Sequence, residues 1–195
     1  FGSVDPHGGK ASVARVRSLV NEHGVRGFKF HPSLQAFEPN DPPLLPDLRG
    51  DHRGRRACPL PHRADRHRGG GPPPAATASS CATRRRCCST TSPPTSPDLT
   101  IVLAHPSVPW QDEAISIATH KANVYIDLSG WSPKYFPPAL VKAANSLLKR
   151  KVLFGSDYPV ITPDRWLADF EKLELKDEVR PLILKDNAVR MLGLG

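Results

Sequence analysis

Between Pro43 and Pro97 the chain contains no Ile, Val, Phe, Tyr, Trp or Met, and this gap decides what the rest can build. A stretch without those side chains has too little apolar surface to offset the entropy of ordering it. Any packed fold must therefore come from the two flanks. The same 55 residues hold ten Arg, no Lys, three Asp and no Glu, which is +7 of the chain's net +8. They also hold all four Cys (Cys58, Cys81, Cys87, Cys88) and ten of the 22 Pro. The pI of about 9.6 is thus a property of this segment, and the flanks are close to neutral.

The flanks have the rhythm of an enzyme. Gly9 to Gly24 predicts a helix with Ala14, Val16, Leu19 and Val20 on one face and Gly24 as C-cap. "VRGFKFHP" predicts a short strand stopped by Pro32, and "LTIVLAHP" a second. Trp110 to Thr119 suits a helix, "NVYIDLSG" a third strand, and Pro138 to Leu148 another helix. "KVLFGSDYP" is a fourth strand, and Asp164–Lys172 and Lys176–Leu192 are closing helices. Strands alternating with helices imply βαβ units and a parallel sheet. Near-continuous apolar strands fit a sheet covered on both faces. Each run ends in polar residues: Lys29 and His31, His105, Asp127 and Ser129, Ser156 and Asp157. In parallel α/β folds the chemistry lies beyond the carboxyl ends of the strands, so these are the candidates.

No run reaches the roughly 18 apolar residues of a membrane span, and no signal peptide opens the chain. The abrupt start "FGSVDP" reads as the middle of a strand and its exit loop, so a cytoplasmic fragment is expected.

"IVLAHPSVPW", "NVYIDLSGW" and "VLFGSDYPVITPDRW", in that order, resemble the C-terminal strands of the amidohydrolase-related family, in the branch of the aminocarboxymuconate-semialdehyde and resorcylate decarboxylases. "GVRGFKFHPSLQAFEPND" is similar to its fourth-strand segment. The resemblance implies a partial (β/α)8 TIM barrel, with strands 3–4 in residues 1–42, strands 6–8 in 98–195, and the basic segment 43–97 disordered between them. It implies a divalent metal, zinc in most members, held by an H-x-H on the first strand, a His on the fifth and an Asp on the eighth. Carried over, Asp157 is the eighth-strand carboxylate and His105 the sixth-strand histidine, each catalytic and each a candidate metal ligand. A carboxylate beside a metal-bound water can ligate the metal and also take a proton from the water. Lys29, His31 and Trp131 are the candidate substrate-binding residues. The implied parent enzyme is a hydrolase or a decarboxylase (a lyase) of a small carboxylate-bearing substrate. Homo-oligomerisation is left open.

Two features depart from that pattern. The first-strand H-x-H is absent, and the fifth strand should fall near residues 55–65, where no strand is readable. The missing residue types of the middle segment have AT-rich codons and its abundant ones GC-rich codons, as when a GC-rich gene is read out of frame. Back-translated with free third bases and read one base later, the text around Leu45 to Gly70 permits "SYPIYEAITEAGVPALFHTGQTGIG". That contains a helix, a strand ending in His and a glycine-rich loop, as the resemblance requires for the fifth strand. Ala78–Arg84 and Cys87–Ser96, read two bases later, permit "GIKLRYS" and "MLLDDVAADF". A frameshifted middle and an inactive literal chain are therefore expected.

Other readings of this segment are weaker. Its Cys spacing has no C-x2-C pair, so it matches neither a zinc site nor, beside these flanks, a disulfide framework. The Arg runs could contact phosphates, but no aromatic residue interleaves with them for base stacking, so no specific nucleic-acid partner is expected. The rival class is a non-catalytic binding protein whose basic segment recruits an acidic partner. Absence of Lys counts against it, because a selected basic segment normally mixes Lys with Arg.

Overall fold

The computed structural model describes residues 1–31, 34–36 and 100–194. The Pro43–Pro97 segment lies outside the described residues, with its Cys and Arg and the expected fifth strand. The chain divides into two compact units, Phe1–Ile101 and Val102–Gly195, each described by itself.

In the first unit, helix α1 (Gly9–Asn21) is launched from Asp5. The Asp5 carboxylate accepts from the His7 amide at 2.9 Å, and its carbonyl accepts from Ser12 Oγ at 2.5 Å. The buried face is Ser12, Val13 and Val16, with Leu19 and Val20 half-buried. Ala14, expected inward, is exposed. The Ser12 bond to Asp5 rotates the inward stripe to positions 12, 13, 16, 19 and 20, still one helical face. Gly24 closes the helix with φ +63°, and the Val25 amide returns to the Leu19 carbonyl at 3.0 Å.

The strand expected at "VRGFKFHP" is realised as one parallel bridge, Gly2 to Phe28. Gly2 N–H donates to Gly27 O and Lys29 N–H to Gly2 O, both at 2.8 Å. Pairing stops there because Asp5 and Pro6, three residues on, already turn the chain into α1, and Pro6 has no N–H to donate. The alternation of a strand survives: Phe28 and Phe30 are buried and Lys29 is exposed.

The second half of the chain carries a three-stranded sheet in the order β1 (Ile101–Leu103), β2 (Val124–Asp127), β3 (Val152–Leu153). β2 and β3 run parallel, with Ile126 opposite Val152 and Asp127 opposite Leu153. The crossovers are helical, as expected of βαβ units. Helix α2 (Gln111–His120) places Asp112 and Glu113 in its first turn and His120 in its last, the arrangement the helix dipole favours. It joins β1 to β2, and α3 (Pro138–Ala144) joins β2 to β3. Helix α4 (Pro163–Phe170) follows β3, and the chain closes through α5 (Val179–Pro181), a π-helical turn (Leu182–Asp186) and α6 (Asn187–Leu192).

Two helices depart furthest from the expected bounds. α3 ends at Ala144 instead of Leu148, because the Asn145 amide group donates to Glu174 O (2.7 Å) and its oxygen accepts from Lys176 N–H (2.9 Å). Leu148 is still buried, whereas Leu147 faces solvent at 74% exposure. The last helix begins at Val179, not Lys176. Arg180 occupies the preceding corner, donating to the carbonyls of Phe170 (3.2 Å) and Leu173 (2.7 Å).

Trp166 centres the core under β2 and β3. It is fully buried, stacked on Phe170 at 4.9 Å and edge-on to Phe154 at 4.9 Å. Asn187 is also fully buried and ties α6 to the β3 entry, donating to Val152 O (2.7 Å) and Lys149 O (3.0 Å). Lys151 crosses to the end of α2, donating to the carbonyls of Ala118 (2.6 Å) and Lys121 (2.5 Å). Burial holds the Lys151 ammonium below its ordinary pKa. These ties fix the strand entries, which leaves the opposite, carboxyl ends to the loops. Among the described residues, no helix is long and apolar enough to cross a membrane.

Candidate active site

His105 stands two residues past β1, with φ +70°. Asp157 stands four residues past β3, with φ +66°. L-residues seldom adopt this left-handed region, although His and Asp tolerate it better than most. Non-glycine residues held there gather at functional sites. Both side chains are half-buried.

The His105 ring is bound on one nitrogen. Nδ1 lies 2.9 Å from the Ser129 carbonyl and 3.2 Å from Ser129 Oγ. A carbonyl can only accept, so Nδ1 carries the proton and the neutral ring has its lone pair on Nε2. Among the described residues Nε2 makes no hydrogen bond. Ser129 is itself held: its Oγ donates to one Asp127 carboxylate oxygen, and its amide donates to the other at 3.2 Å. Asp127 and Ser129 lie two apart, on one face of the β2 exit, so a single carboxylate grips both donors of Ser129.

Two glycines admit this arrangement. A Cβ on Gly130 (φ +75°) would lie 2.3 Å from His105 Nδ1. One on Gly155 would lie 2.3 Å from Asp127 Oδ1 and 2.8 Å from Ser129 Cβ. The β2 exit is pinned at two further points: Trp166 Nε1 donates to Leu128 O at 3.4 Å, and Ser132 Oγ donates to Asp169 Oδ2 at 2.5 Å. The Ser132 bond, then the nearby Lys172, holds the Asp169 carboxyl below its ordinary pKa. Trp131 sits between these anchors, 36% exposed.

The second unit thus brings His105 together with Ser129, Asp127 and Gly130. Asp157 follows two residues after Gly155, which abuts Asp127. Lys29 and His31 belong to the first unit. Lys29 is exposed, and His31 opens a turn in which its amide donates to Gln35 Oε1 at 2.8 Å. Asp127 and Ser129 stand out in the sequence only as polar residues at a strand end, with nothing there to show that one grips the other. The D-x-S spacing after an apolar strand was the available signal.

A metal ligand histidine characteristically donates its other ring N–H to a carbonyl or carboxylate, and His105 has that pattern. Its donor chemistry and that of Asp157 suit a divalent ion. Among the described residues, however, no group of three His, Cys, Asp or Glu comes together to hold a metal. The described residues supply two donors and do not complete a centre.

Comparison with known proteins gives a fold and a family. No curated protein matches the sequence. An uncharacterised TIM-barrel protein from Bordetella bronchiseptica is 19% identical with TM-score 0.63, covering 99% of this chain and 64% of its own. 5-Carboxyvanillate decarboxylase LigW from Sphingomonas paucimobilis is 16% identical with TM-score 0.63, covering 99% and 66%. A dihydroxybenzoic acid decarboxylase from Polaromonas sp. JS666, solved with manganese and the inhibitor 2-nitroresorcinol, is 15% identical with TM-score 0.56, covering 97% and 66%. The chain spans less than two thirds of the length of the first two. At these identities the likeness establishes a TIM-barrel fold, of which the sheet here is part. The amidohydrolase family matches residues 95–194, just over half of the chain and all three strand ends described above, and the chain belongs to that family.

Proposed function

We propose that this chain carries part of the active site of a metal-dependent decarboxylase acting on a small aromatic carboxylate. The observation that supports this most is the His105 ring: Nδ1 is occupied by Ser129, so Nε2 is the atom left for chemistry. The decarboxylases among the structurally similar proteins favour carbon–carbon cleavage over hydrolysis. In this reading a protonated His105 gives its Nε2 proton to the ring carbon as the bond to the carboxyl carbon breaks, and CO2 leaves without that bonding pair. For a hydrolytic substrate the neutral ring would instead accept a proton from water at the same atom.

Asp157 is assigned as metal ligand and proton holder, with His105 as a second donor. Zinc is the assigned cofactor, which when bound lowers the pKa of its water towards about 7. Trp131 would pack against an aromatic substrate, and Lys29 and His31, in the first unit, are kept as substrate-binding candidates. We assign the protein to the cytoplasm and read residues 43–97 as out-of-frame text that removes the fifth-strand histidine. The literal chain is then inactive.

The test compares the chain as it stands with a version recoded to "PALFHTG" in the segment, each preceded by the H-x-H-bearing first strands of a structurally similar decarboxylase and incubated with zinc and a panel of hydroxybenzoates. Release of CO2 by the recoded chain, abolished by His105→Gln, is the expected result. Turnover by the unrecoded chain would overturn the inactivity, and turnover unaffected by His105→Gln would overturn the role of His105.

A further inference from the structure

We propose that Asp127 is a positioning residue of this site: acting through Ser129, it fixes His105 with the proton on Nδ1 and the lone pair on Nε2. The inference rests on the reading of His105 as the acid/base above, but its geometry stands independently.

The Ser129 hydroxyl is the ambiguous element. Its oxygen lies 3.2 Å from Nδ1, close enough to donate to that nitrogen or to be faced by its N–H. If it donated, Nδ1 would hold the lone pair and Nε2 the proton, the opposite tautomer. Asp127 removes the ambiguity. A carboxylate has no proton to give, so the short contact between Ser129 Oγ and Asp127 must use the hydroxyl hydrogen. The hydroxyl then presents only lone pairs to Nδ1, as the Ser129 carbonyl does at 2.9 Å. Both faces of Ser129 therefore demand a proton on Nδ1. The other Asp127 oxygen holds the Ser129 amide at 3.2 Å, which keeps the carbonyl in register with the ring. Gly155 leaves the room in which the carboxylate sits, since a Cβ there would lie 2.3 Å from Asp127 Oδ1.

An amide in place of the carboxylate undoes the logic without changing the shape. Asp127→Asn offers one oxygen where two acceptors are needed. Its NH2 can donate to Ser129 Oγ, freeing the hydroxyl hydrogen to turn towards Nδ1. Ser129→Ala removes the hydroxyl but retains the carbonyl, so it should leave the tautomer in place. A residue that merely filled space would not distinguish these two variants.

The experiment is long-range 1H–15N correlation NMR of the full chain, above the imidazole titration range, with His105 assigned by the disappearance of its signals in His105→Gln. A protonated ring nitrogen and an unprotonated one resonate far apart, and the spectrum is read without metal, substrate or turnover. We expect wild type and Ser129→Ala to show a protonated Nδ1 and a bare Nε2. In Asp127→Asn the two nitrogens should shift towards each other as the other tautomer becomes populated. A wild-type spectrum with the proton on Nε2 overturns the proposal outright, and needs no variant to fold. An Asp127→Asn spectrum identical to wild type overturns the role of Asp127. The expected spectra in a chain whose recoded form has no decarboxylase activity would sink the proposed function and leave this inference intact.

Discussion

Gly130→Ala gives the sharpest test of how the histidine is seated. Two costs arise, and a second glycine separates them. The new Cβ would lie 2.3 Å from His105 Nδ1 and 2.7 Å from Cε1, far inside any tolerated contact. The ring must retreat by about 1 Å or more, which stretches the 2.9 Å bond to the Ser129 carbonyl beyond hydrogen-bond range. Losing that bond costs about 1 kcal/mol, and overpacking a further 1–3 kcal/mol. The left-handed backbone at φ +75° adds roughly 1–2 kcal/mol for a residue with a Cβ. Gly193 has φ +62° and nothing within 4 Å of its would-be Cβ, so Gly193→Ala isolates the backbone cost. Urea denaturation of both variants should place Gly130→Ala about 3–6 kcal/mol below wild type and Gly193→Ala about 1–2 kcal/mol below. Equal losses in the two, with unchanged His105 signals, would refute the close seating of the ring on Gly130.

Other outcomes follow from the same structure. Trp166→Ala should cost about 3–5 kcal/mol in denaturant midpoint stability, since the ring is fully buried among Phe136, Phe154 and Phe170. Asn187→Ala strands the carbonyls of Val152 and Lys149 in the interior and should cost about 2–4 kcal/mol, measured the same way. Asp169 should titrate below its ordinary 3.8, and Ser132→Ala should raise the midpoint seen by carboxyl 13C NMR. Because its folded pKa is lowered, the stability it lends is present above the unfolded value and is lost as pH falls through the folded one.

The sheet was legible because parallel strands covered on both faces are written as apolar runs, and "IVLAHP", "VYIDLS" and "VLFGSD" leave little else to be. The same runs point to His105 and Asp157, since polar residues directly after such strands fall at one end of the sheet. Contacts between distant positions were not legible. Ser129 meets His105 across 24 residues and Lys151 meets Ala118 across 33, and no periodicity records either. Side chains that satisfy remote carbonyls also decided the element ends: Asn145 cut α3 short, and Arg180 delayed the last helix. In α1 the apolar period was right but its phase was not, because Ser12, a polar residue, takes an inward position by bonding to Asp5. Asp127 was visible as a polar strand end, but its role depends on the serine that it grips.

The most direct test of the central proposal, that His105 and Asp157 are donors to a metal site the described residues do not complete, is the metal content of the purified chain after dialysis against zinc. Structural and catalytic zinc sites draw at least three ligands from the protein, and among the described residues no three His, Cys, Asp or Glu side chains come together to hold a metal. The account predicts well under one zinc per chain, and less again in His105→Gln. One tightly held zinc per chain, accompanied by turnover of a carboxylate substrate, would contradict it.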